Sequence, residues 1–505
     1  MDLGTVLSWT AERYPDQPAV AGTGRRLTYR EWDGRTNRLA HALAKAGVRP
    51  GDRVGFTLLG GEPLASLHLA AQKLGAVSVP LSTRFGPDEL RYCVTDGDLA
   101  LLVTDEPHAA RAAEAAGLTP VRTAAELDRA AEREPDSPPG PPPGEDAVSV
   151  MLYTSGTTGR PKGVPRTHRA EHMASVAHAL QTRQRFGEVT LGVMPLFHTM
   201  GLRTLLTSIL IGGTWVGQAR FDADESRALI LGERVSSLYL VPTIFWSLTR
   251  DEGLGAAVGT LTRLAYAGAP MAPALVARLV DQLAPSVFVN HFGSTEIYTF
   301  TICPQADRKP GSAGRAGVFS RVRLVAPEPG APPDATVRKG EQGQVAVSLD
   351  SPEAFRGYWR RPDANQRSVR DGWYYTGDLA VSDEDGDLWV RGRVDDMINS
   401  GGENVYPDEI EAALARCPDI DDVCVVGLPD ERWGEAVTAF VVPAGPLPPP
   451  DAARRALDFA REALPSLQRP KRVIAIDQVP RSGVGKTLRR QLVMGEYEAR
   501  GEASA

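Results

Sequence analysis

The sequence predicts an α/β protein. A large N-terminal domain has layered mixed and parallel sheets with helices plus a small β-rich subdomain, and a small α+β C-terminal domain follows it. Three observations predict this. Between Arg26 and Leu127 short apolar runs alternate with helix-period stretches, as when strands and helices stack around a mainly parallel sheet. A second alternation runs from Val148 to about His291. After Arg393 strands and helices form a self-contained pattern, enough for a separate small core. The predicted domains are 1–394 and 395–505.

In order along the chain, Thr28 and Glu31 make a capping box for a helix that reaches about Ala46 and stops before Gly47. Strands are predicted over 54–58, 76–79 and 101–104, and a helix over Ala109–Ala116. Residues 134–144 are so rich in proline and glycine that they read as an exposed connector. Strands of the second region are expected at 191–194, 235–241 and 264–267, and residues 322–349 read as β-rich around a proline loop. The C-terminal module has predicted strands at 423–427, 436–442 and 472–476, helices at 407–415 and 452–464, and a loop at 445–450.

Composition narrows the function classes. A chain of 505 residues suggests roughly three domains by length. Its 42% apolar and 24% charged content is that of a soluble globular protein. A net charge of −7 provides no basic footprint, so no nucleic acid partner is expected. Four cysteines without CxxC spacing suggest a reducing compartment rather than a disulfide framework or zinc site. No secretory leader, no apolar run of about 18 residues and no C-terminal address is apparent. A cytoplasmic protein without a membrane span is expected.

The densest chemical signal is Tyr153-Thr154-Ser155-Gly156-Thr157-Thr158-Gly159-Arg160-Pro161-Lys162-Gly163. Glycines let backbone N–H groups approach a ligand, and the hydroxyls and Lys162 add donors for anionic oxygens. The stretch reads as a polyphosphate cradle that neither helix nor strand can contain, against the alternative of a solvated loop. It lacks the glycine spacing of a Walker A loop. An apolar strand, 148–152, should feed it and a helix, 167–180, should leave it.

Gly293-Ser294-Thr295-Glu296 follows an apolar run and offers a carboxylate suited to Mg²⁺, which takes oxygen donors shared with phosphates. Alone, Glu296 reads more readily as a surface residue. Tyr375-Thr376-Gly377-Asp378 places an acid where carboxylates hold ribose hydroxyls, though a turn aspartate is the common reading. The stretch from Gly392 through Asn404 combines Arg393, Asp395, Asp396, Gly401, Gly402 and Glu403 at the domain boundary, where a plain linker needs none of them. Ser482-Gly483-Val484-Gly485-Lys486-Thr487 resembles the end of a Walker A loop, but Pro480 stands where its first glycine is required. A glycine-flanked lysine there is suited to reach into a site made elsewhere. His168-Arg169-Ala170-Glu171-His172 has the order of inverted zinc proteases, yet no third ligand is apparent and helix geometry alone places the histidines on one face.

Together these motifs resemble the adenylate-forming superfamily of acyl-CoA synthetases, peptide-synthetase adenylation domains and luciferases, and within it aryl-CoA ligases such as 4-chlorobenzoate–CoA ligase. Order and spacing match over nearly the whole chain, supported by Val193-Met194-Pro195-Leu196-Phe197-His198, by 431–438 and by Arg469-Pro470-Lys471-Arg472 through Arg490. The resemblance implies ATP, Mg²⁺ and coenzyme A, and two half-reactions. A small carboxylic acid attacks the α-phosphate of ATP, releasing pyrophosphate; a thiol then displaces AMP from the acyl-adenylate.

By the same resemblance, Lys486, Glu296 and His198 are catalytic and Glu296 is the metal ligand. Thr154, Ser155, Gly156, Thr157, Thr158, Lys162, Gly268, Ala269, Pro270, Phe292, Gly293, Thr295, Asp378 and Arg393 bind ATP. Asp395 is the hinge of a mobile C-terminal domain. Arg84, Gly401, Gly402, Glu403, Trp433, Arg469 and Lys471 meet coenzyme A, although Leu467 stands where relatives carry an aromatic. The acyl pocket takes His198, Thr199, Met200, Phe245, Ala267, His291, Gly293, Tyr298 and Thr299.

That mixture of aromatic and small polar groups suits an aromatic or cyclic acid better than a long straight chain. His291 and Tyr298 replace apolar residues expected there, and buried polar groups need partners, which points to a substrate with a hydroxyl, keto or amino group. Two other readings remain open: transfer to a separate carrier protein instead of coenzyme A, and a catalytically silent nucleotide-binding regulator. Luciferase activity is more distant. The chain is compatible with a homodimer.

Overall fold

The computed structural model describes residues 1–154, 160–250, 252–328, 330–400, 403–481 and 487–504. The chain forms two compact units, Met1–Val322 with Val347–Tyr374, and Arg323–Ala346 with Tyr375–Ala505. Sequence-predicted residues Ser155, Gly156, Thr157, Thr158, Gly401, Gly402 and Lys486 lie outside the described residues.

Two sheets build the first unit. The six-stranded sheet runs in the order Val121–Thr123, Leu99–Thr104, Arg53–Thr57, Val77–Pro80, Val148–Thr154, Lys162–Thr167. All its pairs are parallel except the last, in which Thr154 lies opposite Lys162. The nine-stranded sheet is parallel from Val287–Phe292 across to Pro18–Gly22 and antiparallel at both ends.

Two strands join sheets that sequence order does not indicate, one of them not predicted from the sequence. Pro18–Gly22, near the N-terminus, pairs with Thr214–Gly217 in the nine-stranded sheet. Val148–Thr154, read as opening the second region, extends the first sheet beside Val77–Pro80. Local alternation identifies a strand but carries no information on its partner, which is decided by packing.

Helices Tyr29–Lys45, Glu62–Lys73 and Thr199–Leu210 share one apolar core with strands of both sheets, including Trp32, Leu43, Leu69, Leu205, Phe56 and Trp215. The capping box forms as predicted, with Glu31 accepting from the Thr28 N–H at 2.8 Å and Thr28 Oγ1 from the Glu31 N–H at 3.3 Å. Glu62–Lys73 is buried at every residue except Pro63, and both His68 ring nitrogens are partnered inside: His68 meets Ser78 at 2.7 Å and Gln72 at 3.0 Å. Buried polar groups demand such partners.

The second unit contains a six-stranded sheet. Its order is Glu403–Val405, Ile398–Ser400, Gly434–Pro443, Arg472–Ala475, Gly501–Ser504, with Ile420–Asp430 also paired to Gly434–Pro443. Helix Pro449–Ala463 lays Ala453, Ala456, Leu457 and Ala460 on the core with Val437, Val441 and Val473. Residues 445–450 were expected as loop. Pro449 and Pro450 instead open the helix, because a first-turn proline sacrifices no intrahelical hydrogen bond and its fixed φ suits the helix. No helix among the described residues is long and apolar enough to cross a membrane.

Candidate functional site

The stretch 153–163 begins and ends in strand: Val148–Thr154 enters it and Lys162–Thr167 leaves it antiparallel, with Thr167 then capping helix His168–Gln181. The expectation that this whole stretch escapes regular structure is corrected at both ends, since the β ladder pairs Tyr153 with Gly163 and Thr154 with Lys162. Thr154 Oγ1 faces the Lys162 carbonyl at 3.5 Å.

Residues 355–359 draw this hairpin to Glu296. The Tyr358 hydroxyl donates to Glu296 Oε1 at 2.7 Å, and the Phe355 N–H donates to the Glu296 carbonyl at 2.7 Å. The Trp359 N–H donates to the Gly163 carbonyl at 2.9 Å. Lys162 Nζ lies 4.2 Å from the Tyr358 ring centre, an attractive cation–π arrangement. Burial, followed by the Glu296 charge, raises the Tyr358 pKa well above that of an ordinary phenol, so the hydroxyl stays a donor. Glu296 retains a second carboxylate oxygen with no protein hydrogen bond among the described residues. A hard, nearly buried oxygen donor beside a lysine is chemically suited to Mg²⁺ shared with phosphate.

Beneath Glu296 lies a buried ion triad. Arg166 and Arg203 both pair with Glu171, and all three side chains are fully buried. Burial drives the Glu171 pKa up, but the Arg203 and Arg166 charges outweigh it and hold the carboxyl below its ordinary range. Arg166 also donates to the carbonyls of Thr295 at 2.9 Å and Glu296 at 3.1 Å. Glu171 is therefore committed to two arginines, which removes the zinc-protease reading of 168–172. Among the described residues the one group of acids close enough to share a metal ion is Asp383, Asp385 and Asp387, where Asp383 accepts from the Asp387 N–H and Trp389 Nε1.

Four of the sequence-predicted acyl residues pack in the apolar cluster of strand Val287–Phe292. Met200, Phe245, Ala267 and Tyr298 belong to one apolar cluster. Gly293 accepts no side chain, since a Cβ would sit 1.7 Å from the Tyr298 carbonyl oxygen. His198 is the N-cap of helix Thr199–Leu210 and packs on Phe197 at 4.5 Å. Although its edge is partly exposed, loss of hydration lowers its pKa to about 4. Thr199 Oγ1 is buried without a hydrogen-bond partner among the described residues.

His291 and Tyr298 stack with ring centres 4.3 Å apart. The polar groups that suggested a hydroxyl-, keto- or amino-bearing substrate are instead paired within the protein. His291 Nδ1 meets the Tyr239 hydroxyl at 3.2 Å, His291 Nε2 meets Thr299 Oγ1 at 3.1 Å, and the Tyr298 hydroxyl meets His178 Nδ1 at 2.8 Å. This removes the need for a substrate partner at those atoms. Tyr239, His178 and Tyr358 were missed in the sequence because nothing local marks a tyrosine or histidine as the partner of a residue 52 to 120 positions away.

Burial, then the Arg203 charge, pushes the His291 pKa down to about 3 from an ordinary 6.5. The unfolded chain thus binds the extra proton between those values. The stabilising contribution of neutral His291 is complete above pH 6.5 and declines as the pH falls toward 3. The stability gap between the wild type and His291→Asn should narrow by about 2 kcal/mol between about pH 7.5 and pH 5. Urea unfolding measures it, and a constant gap would show that burial does not keep this ring neutral.

Other predicted ATP residues are placed separately. Phe292 ends its strand and meets Phe300 edge-on at 5.1 Å. Gly268, Ala269 and Pro270 are exposed after strand Arg263–Tyr266, with Gly268 at φ +85°. In the second unit, Asp378 stands opposite Arg393 across an antiparallel pair, and Arg393 Nη1 donates to Asp378 Oδ1 at 2.6 Å. Asp395 is exposed in the short 3₁₀ turn Val394–Asp396.

Among the coenzyme A residues, Arg84 is exposed in the first unit. In the second, Glu403 begins a short strand, and Lys471 Nζ and the Arg432 guanidinium each lie 4.8 Å from the Trp433 ring. Arg469 donates to the Leu464 carbonyl at 2.9 Å. Burial, then Arg469 and Arg432, lower the Lys471 pKa, the mark of a cationic patch.

The AMP-binding enzyme family model matches residues 7–359, and the C-terminal domain model of AMP-binding enzymes matches 409–486. The chain belongs to the AMP-binding enzyme family. This AMP-binding enzyme is 38% identical over 497 residues to a feruloyl-CoA synthase of Amycolatopsis sp., covering 95% of this chain and 97% of the relative. It is 31% identical to a 4-chlorobenzoate–CoA ligase of Arthrobacter sp., covering 96% and 94%. A fatty acid–acyl-carrier-protein ligase of Streptomyces coeruleorubidus is 34% identical, covering 96% and 94%. The structure of o-succinylbenzoate coenzyme A synthetase from Bacillus subtilis in complex with ATP and magnesium ion superposes with a TM-score of 0.86 at 27% identity, covering 96% and 98%. The chain is an acid–thiol ligase of the adenylate-forming type.

Proposed function

We propose that this AMP-binding enzyme joins an aromatic carboxylic acid to coenzyme A, by acyl-adenylate formation with release of pyrophosphate and then thioester formation with release of AMP. The observation that supports it most is the Lys162–Tyr358–Glu296 contact, in which one tyrosine meets both a lysine suited to phosphate oxygens and a carboxylate suited to a cation.

Thr154 and Lys162, with the serine and threonines that follow Thr154, hold the β- and γ-phosphates. Glu296 holds Mg²⁺, which supplies positive charge to the phosphates when bound. Gly268, Ala269, Pro270 and Phe292 receive adenine, while Asp378 and Arg393 take the ribose. Lys486 stabilises charge developing between the acid and the α-phosphate. Domain rotation at Asp395 exchanges Lys486 for Gly401, Gly402 and Glu403 between half-reactions. Trp433, Arg469 and Lys471, with Arg84, meet coenzyme A.

The apolar cluster that holds Phe245 and Tyr298, with His291 stacked on Tyr298, supports a flat, ring-bearing acid, and ferulate is the first acid to test, given the feruloyl-CoA synthase relative. The acyl-carrier-protein ligase relative favours a second reading, in which a carrier's phosphopantetheine thiol replaces coenzyme A. Thioester formation from ferulate, ATP and either free coenzyme A or a phosphopantetheinylated carrier protein separates the two. Saturable product formation with coenzyme A supports the first. Product only with the carrier overturns it.

A further inference from the structure

Glu353 is a fully buried acid that the reaction scheme above does not use. It lies on the segment that leads to Phe355 and Tyr358, the two groups holding Glu296. Its Oε2 accepts from the Thr299 N–H at 3.0 Å, and the Ser351 hydroxyl receives its own N–H at 3.2 Å. Its Oε1 is buried with no hydrogen-bond partner among the described residues. A buried carboxylate oxygen left unpaired is costly, so an ordinary structural acid at this position would be a poor choice.

Thr299 is a junction. Its N–H is held by Glu353, its carbonyl accepts from the Ser320 hydroxyl, and its Oγ1 meets His291 at 3.1 Å and Gln181 at 3.4 Å. Glu353 therefore grips the backbone of the residue whose hydroxyl orients the His291 ring. The charges facing it are Arg166 and Arg203, already shared with Glu171, and the uncharged His291, His178, Tyr239 and Tyr298 lie beyond Thr299.

We propose that Glu353 is a positioning residue for acid selection, setting Thr299 and His291 in the acyl wall while the same segment holds Glu296. The proposal rests on the reading that Thr299 and His291 line the acyl pocket. The Glu353 carboxyl is raised to about 7, chiefly by burial, so its charge changes around neutral pH. An ionised acceptor grips an N–H more strongly than a neutral one. Acid binding should therefore weaken as the pH falls through that value, with ATP binding little affected.

The test compares wild type with Glu353→Gln, which keeps the shape and an acceptor oxygen but removes the charge. Pyrophosphate release is followed from about pH 6 to pH 8.5 with ferulate as probe, and with 4-chlorobenzoate as a second probe. Glu353→Gln should raise the KM for the acid roughly 3–10-fold at the alkaline end, the scale of one weakened hydrogen bond, and should flatten its pH dependence. The KM for ATP should change by less than about twofold. Glu353→Asp, which restores the charge, should restore the pH dependence in part. An active wild type with a Glu353→Gln profile superposed on its own overturns the proposal alone. Equal rises in both KM values with a lowered Tm also overturn it, because they denote a purely structural role. A wild type inactive with every acid tried overturns the pocket reading and the proposal together.

Discussion

Lys486→Ala is expected to lower acid-dependent adenylation roughly 10²–10³-fold, the scale of one lost transition-state electrostatic contact. Attack of a carboxylate on a triphosphate brings two anions together, and a cation placed between their oxygens is more valuable as the new bond forms than before it. The family match extends through residue 486, so the lysine sits within the shared C-terminal domain. Thioester formation from preformed acyl-adenylate and coenzyme A should survive the change, since that step displaces AMP and does not assemble the polyanion. Stopped-time assays of the two half-reactions measure each separately. Equal loss in both would refute the division of labour between two faces of the C-terminal domain.

Glu171→Ala carries the largest expected effect on stability. It leaves Arg166 and Arg203 fully buried with their shared counter-charge gone, and breaking a buried ion pair costs roughly 3–5 kcal/mol. Arg166 also supports the carbonyls of Thr295 and Glu296, so surviving protein should bind Mg²⁺–ATP less well. Replacing all three charges with apolar residues of similar volume should recover much of the loss, because it is the uncompensated charge that is costly. Denaturant unfolding decides. A Glu171→Ala variant within about 1 kcal/mol of wild type would mean that water or backbone compensates the arginines.

Much of the site could be read from local chemistry. The Thr28–Glu31 capping box and the helix that follows the glycine-rich stretch are consequences of neighbours in sequence. What stayed hidden depends on long-range pairing. Tyr358 reaches Glu296 across 62 residues and Tyr298 reaches His178 across 120, with no periodicity to announce either.

The polar character of His291 and Tyr298 was legible, but its meaning was not. Burial demands a partner without saying whether the partner belongs to substrate or protein, and here Tyr239, Thr299 and His178 supply it. The assignment of Pro18–Gly22 and Val148–Thr154 to sheets was likewise illegible. Their apolar patterns fit either sheet, and the choice is made by which core each strand completes. Pro449 and Pro450 illustrate the converse case, where a breaker in a helix interior is a starter at its first turn.

The central claim is tested most directly by pyrophosphate release with ATP, Mg²⁺ and a panel of aromatic, alicyclic and long-chain acids, in the presence and absence of coenzyme A. Aromatic acids are predicted to drive release far above the acid-free background, with AMP and a thioester appearing when coenzyme A is added. No stimulation by any acid, or stimulation confined to straight-chain fatty acids, would contradict the account.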